Sequence, residues 1–135
     1  MSMVKVDPAP LPYGGLQYFQ LHYIVQFENS ESHNMVAKCE PITSGRFGNK
    51  RVTGVKWTGV GRFVERLEAD SKLTEMLKKV LPEQGEIRID PQDDQVRIYG
   101  KWIHEDRLAF SEEMLVVAES IASHIRHNGP VANED

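Results

Sequence analysis

The chain predicts an α+β domain in two layers: a five-stranded antiparallel sheet with two helices on one face, in the order β-β-β-α-β-β-α. Three observations carry this reading. Residues 16–27 alternate, with Phe19, Leu21, Tyr23, Val25 and Phe27 facing one way and Gln20, His22 and Gln26 the other, which is the period of a half-buried strand. Two later stretches repeat their apolar residues at three- and four-residue steps, the period of a helix face. Short polar turns between neighbouring strands favour antiparallel pairing, and helices with a single apolar stripe bury it against one sheet face.

Residues 1–15 hold Pro8, Pro10 and Pro12 with Gly14 and Gly15. They read as an extended arm rather than packed structure, long enough to reach over a neighbouring subunit. After the strand at 16–27 comes a polar turn at 28–34, then a second strand at 35–42 with Met35, Ala37 and Cys39 on one face. Pro41 marks its end or an edge position. Residues 42–50, with two glycines and no period, form a loop. Val52, Val55 and Trp57 suit a third strand, which ends in a turn at Gly59 and Gly61.

From Gly61 onward Phe63, Val64, Leu67, Leu73, Met76, Leu77 and Val80 mark a helix. Asp70 and Ser71, both N-cap types, mark a break or restart, and Pro82 and Gly85 mark its end. Residues 86–90 and 95–103 alternate again around the turn PQDD, a hairpin with Ile87, Ile89, Val96, Ile98 and Trp102 as its apolar set. The last helix starts at the N-cap Ser111, with Glu112 and Glu113 at its positive end and Phe110 and Leu115 as a hydrophobic staple. Leu115, Ala118, Ile121, Ala122 and Ile125 form its expected stripe, and Asn128-Gly129-Pro130 closes it. The core is expected from Phe19, Leu21, Val25, Phe27, Leu67, Leu77, Ile87, Ile89, Ile98, Leu115, Ile121 and Ile125.

A chain of 135 residues fits one domain, assigned here to 16–128, between the arm at 1–15 and a tail at 129–135. With 40% apolar and 27% charged residues it reads as an ordinary globular protein. It has neither an apolar run of spanning length nor a secretory leader pattern, so a cytoplasmic protein without membrane contact is expected. The lone Cys39 excludes an intrachain disulfide and a CxxC site, and reads as a small buried hydrophobe. Element order, size and mild acidity are similar to those of the small dimeric chaperones of bacterial type III secretion. A proline-containing arm stands where that fold has its leading helix, and the likeness carries over no site residue.

Charge supplies the main functional signal. Between Pro41 and Val64 lie five basic residues, Arg46, Lys50, Arg51, Lys56 and Arg62, and no acid; taking these from the chain's net charge of −4 leaves −9 elsewhere. Phe47, Trp57 and Phe63 interleave with them, and Gly59 and Gly61 begin a strand-to-helix turn. Such a segment holds phosphates and stacks bases in single-strand binders. The alternative is a solvated strand and loop with its aromatics in the core. Gly59-Val60-Gly61-Arg62 is half of GxGxxG, with Val64 where the third glycine belongs, and no GxxxxGK[ST] occurs. A tight turn accounts for these glycines.

No catalytic, cofactor or metal residue is singled out. His124 and His127 lie one helical turn apart without a third ligand nearby, and basic residues suit a helix C-terminus. His104-Glu105-Asp106 lacks HExxH spacing, and Cys39 with a distant histidine is a pairing any thiol protein offers. The leading expectation is therefore a non-catalytic, self-associating interaction domain, a homo-oligomer. The alternatives are an anion or nucleic-acid binder through Arg46, Phe47, Lys50, Arg51, Lys56, Gly59, Gly61 and Arg62, or an enzyme assembled from dispersed His and acidic residues. Partners beyond a second copy are an acidic protein or a nucleic acid. Tyr18, Ile24, Tyr99 and Ile103, opposite the core set, are the candidate apolar contact for association.

Overall fold

The computed structural model describes residues 2–9, 17–26, 35–45, 51–59, 61–92 and 94–127. The chain is α+β with an antiparallel sheet, but the described residues form seven strands and three α-helices rather than five and two. In order these are β1 (Ser2–Pro8), β2 (Tyr18–Gln26), β3 (Ala37–Ser44), β4 (Arg51–Gly59), α1 (Arg62–Ala69), α2 (Ser71–Gln84), β5 (Ile87–Gln92), β6 (Gln95–Tyr99), β7 (Ile103–His104), a 3-10 turn (Glu105–Arg107) and α3 (Glu112–His127). The spatial order is β1-β2-β6-β5-β3-β4, with β7 beside β2.

Four expectations change. The segment read as an unpacked arm contains β1, which pairs antiparallel with β2 from Ser2 opposite Val25 to Pro8 opposite Phe19. Pro8 is the last residue of that edge strand, where a missing N–H is tolerated. Strands β2 and β3 are not neighbours, because the β5–β6 hairpin lies between them. The strand expected over 95–103 is two strands: His22 faces Tyr99 and Phe19 faces Ile103, so residues 100–102 stand against two residues of β2, one residue too many for a continuous ladder. Finally, the stripe of α3 is Met114, Val117, Ala118, Ile121, Ala122 and Ile125, with Leu115 36% exposed. At about 100° per residue, Leu115 falls at the margin of a face centred near Ala118 and Ile125.

The break at Asp70 is present. Its backbone ends α1, and its Oδ1 accepts from Leu73 N at 3.0 Å to cap α2. Ser111 Oγ accepts from Met114 N at 3.1 Å in the same way. Pro82 sits inside the last turn of α2, and Gly85, at φ 79°, closes it. Pro41 lies within β3, beyond the three residues that β5 pairs, where no second neighbour needs its N–H.

All three helices pack on one face. Tyr23, Val25, Val96, Ile98, Ile87, Ile89, Ala37, Cys39 and Trp57 meet Phe63, Leu67, Leu73, Leu77, Leu81 and the α3 stripe. Each fully buried aliphatic side chain there stabilises the fold by roughly 1.5–3 kcal/mol. Phe19 is part-buried, and Phe27 lies outside the described residues. Among the described residues no helix is long and apolar enough to cross a membrane.

Candidate functional site

The helices leave the other sheet face open, and strand alternation decides what stands there. Register across β1, β2, β6 and β5 brings Asp7, Gln20, His22, Arg97, Tyr99 and Asp90 onto it. His22 is 6% exposed, and its ring stacks on Tyr99 with centroids 4.4 Å apart and planes at 13°. Its Nε2 lies 2.9 Å from Gln20 Oε1 and 3.3 Å from Asp7 Oδ2. The same carboxylate oxygen lies 3.3 Å from Arg97 Nη1, so Asp7 ties the edge strand to β6 across β2.

Burial lowers the pKa of His22, outweighing the attraction of Asp7, while Arg97 and Lys5 push the same way as burial. The imidazole is therefore neutral at pH 7, with Nε2–H donating and Nδ1 left as a buried acceptor. Among the described residues neither His22 Nδ1 nor Arg97 Nε has a hydrogen-bond partner. Burial and the Asp90 carboxylate raise the pKa of the Tyr99 phenol. Among the described residues no hydroxyl or thiol donates to His22 Nδ1, so no nucleophile stands in line for the imidazole to activate. The arrangement acts as a clamp on β1.

The second feature is the rim. Strand β4 ends the sheet, paired with β3 on one flank and with no strand on the other among the described residues. Ile42 faces Gly54 and Thr43 faces Val52, so Thr53 is an extra residue, a bulge that returns Arg51 to the same open face as Lys56 and Thr58. Glu40 stands opposite Lys56 on β3. Bulges and lysines are common guards of edge strands, and here they leave the stretch 55–59 as the regular part.

Of the residues singled out for anion binding, Arg46, Phe47 and Lys50 lie outside the described residues. Arg51 and Lys56 are exposed on β4, and Arg62 is exposed at the start of α1. Trp57 and Phe63, 7% and 3% exposed, are committed to the core and offer no face for stacking. Gly59, at φ 152°, has no room for a side chain: a Cβ would lie 2.7 Å from Val64 Cγ2 and 2.8 Å from Val36 O. Gly61 precedes α1 without a side-chain cap.

The histidines are dispersed, and His33 lies outside the described residues. His104 Nδ1 meets Asp106 Oδ1 at 2.9 Å, and His127 Nδ1 faces Ser123 Oγ at 3.4 Å. His124 Nε2 meets Asp70 Oδ2 at 2.8 Å. His124 and His127 thus have separate partners, and among the described residues no three His, Cys, Asp or Glu side chains gather as a metal site. Cys39 is fully buried, and burial pushes its thiol up to about 12, far from a reactive thiolate. Of the expected apolar contact, Ile24 is 2% exposed and Tyr18, Tyr99 and Ile103 are part-buried, so these four present no open patch.

No family model, curated protein or solved structure matches the chain. Sequence reasoning missed the Asp7–His22–Arg97 cluster, although polar residues alternating through otherwise apolar strands mark its members.

Proposed function

We propose that the protein is a non-catalytic interaction domain that self-associates by pairing the free edge of β4 with β4 of a second copy. The observation that carries this is the outer flank of β4, unpaired among the described residues, whose backbone donors and acceptors form a template for another strand. Residues 55–59 are its regular part, beyond the bulge at Thr53. An antiparallel pair centred on Trp57 sets Val55 against Gly59 of the second copy and Lys56 against Thr58 of the second copy. No like charges then stand opposite one another, and the contact closes on itself as a two-fold interface. The two sheets become continuous, with their helices on the same side.

Light scattering across protein and salt concentrations tests this. Thr58, exposed on the open face, is the useful position, because each copy presents it to Lys56 of the other. Thr58→Lys places two like-charge pairs in the interface and weakens the dimer by on the order of tenfold, whereas Thr58→Glu strengthens it. A mass of 15.4 kDa at every concentration, or equal effects of the two substitutions, overturns the reading.

A further inference from the structure

Where α2 ends and the chain crosses from β6 to β7, a cleft of about 630 Å³ opens, within the size range of small-molecule sites. Gln84, from the last turn of α2, forms part of its wall and is 8% exposed. Its carboxamide makes no hydrogen bond among the described residues, and since neither its oxygen nor its nitrogen is a buried, unpartnered atom, the polar end of this largely buried side chain meets solvent in the cleft. The position is tightly built. A Cβ on Gly100 would lie 2.1 Å from Gln84 Oε1, so the amide rests directly on this glycine and a side chain there would displace it, and Gln20 Nε2 donates to Gly100 O at 2.9 Å to hold that backbone. Tyr99 and Trp102 supply aromatic surface to the same cleft, and Lys101 supplies a cation. Arg88 also borders it, but is engaged by Glu86.

We infer that this cleft binds the nucleobase of a nucleoside or nucleotide, with the Gln84 amide pairing to the base edge. A carboxamide presents an acceptor and a donor side by side in one plane, which matches the adjacent donor and acceptor of a base edge, as in glutamine–adenine pairs. The flat ring has aromatic surface to stack on. Lys101 is placed to favour a phosphate when one is attached, while the carbonyl end of α2 and Glu86 offer it nothing. The base is thus the recognised part and the phosphate an addition. Free nucleosides and nucleotides share this chemistry and differ in their dependence on Lys101.

Calorimetric titration of the full chain with adenosine, adenosine monophosphate and inorganic phosphate separates these contributions. Adenosine and the monophosphate are expected to bind, the latter several-fold tighter, and phosphate alone is not. Gln84→Leu lowers both affinities at least tenfold at an unchanged melting temperature, and Lys101→Gln removes only the advantage of the monophosphate. Gln84→Glu, which keeps the size and removes the donor, replaces the Leu variant should that one not fold. On the unaltered protein, adenosine shifts the NMR amide signals of Gly100, Lys101 and Trp102. Absence of adenosine binding up to millimolar concentration overturns the inference, as do phosphate binding equal to that of the monophosphate, unmoved amide signals, or affinity indifferent to Gln84.

Discussion

Asp70 and His124 meet at 2.8 Å, joining the break between α1 and α2 to the last turns of α3. The carboxylate has two tasks, since its other oxygen accepts from Leu73 N at 3.0 Å to cap α2. The His124 hydrogen bond first, and the Leu73 N–H second, hold the Asp70 pKa below the usual carboxylate value. The three helices are thereby fastened at one point outside the apolar core.

Asp70→Ala is expected to destabilise the fold by about 1 kcal/mol for the lost cap, with a further loss of the His124 contact. Asp70→Asn keeps the cap and removes the charge. Because the native pKa is depressed, the stability from the charge is complete above the unfolded value, about 3.9, and lost as pH falls through the folded value. Urea midpoints at pH 7 and pH 3 check this: the wild type loses more on acidification than Asp70→Asn. Equal losses would remove the charged contact from the account.

His22 gives a second pH dependence. Its native pKa is lowered, so the unfolded chain takes up the proton more readily, and the contribution is complete above about 6.5 and lost as pH falls below it. The slope from this one group is at most about 1.4 kcal/mol per pH unit. His22→Gln, which retains a donor toward Gln20, should flatten the stability profile between pH 6.5 and 5 relative to wild type. A difference profile that stays level across that range contradicts the neutral, buried imidazole.

The two sides of α3 make opposite predictions. Ile121, fully buried, should cost about 2–5 kcal/mol as Ile121→Ala, while the partly exposed Leu115 should cost well below that as Leu115→Ala. Denaturant unfolding of the two variants decides it, and similar losses would mean that α3 is rotated from the orientation described.

The elements readable from sequence are those whose signals are local. Alternation over Phe19 to Val25 marks β2, and Asp70 and Ser111 mark helix starts through side-chain oxygens three residues before the amides they accept from. What was not readable depends on partners distant in sequence. No periodicity records that Tyr23 lies beside Ile98, so the rank of β4 as the sheet's rim could not be seen. The density of prolines near the N-terminus concealed β1, because Pro8 ends that strand rather than interrupting it. Gln84 gave no signal either: a polar residue in a helix's last turn is ordinary until Gly100 is found against it.

The intervening β5–β6 hairpin has a consequence for synthesis. Strands β2 and β3 both need partners encoded between Ile87 and Tyr99, so a nascent chain that has emerged only through β4 carries two separate strand pairs with their inner rims bare. The sheet cannot close until the ribosome has delivered Tyr99 and the exit tunnel has released it. Such late, sequence-distant closure slows folding and prolongs exposure of sticky backbone.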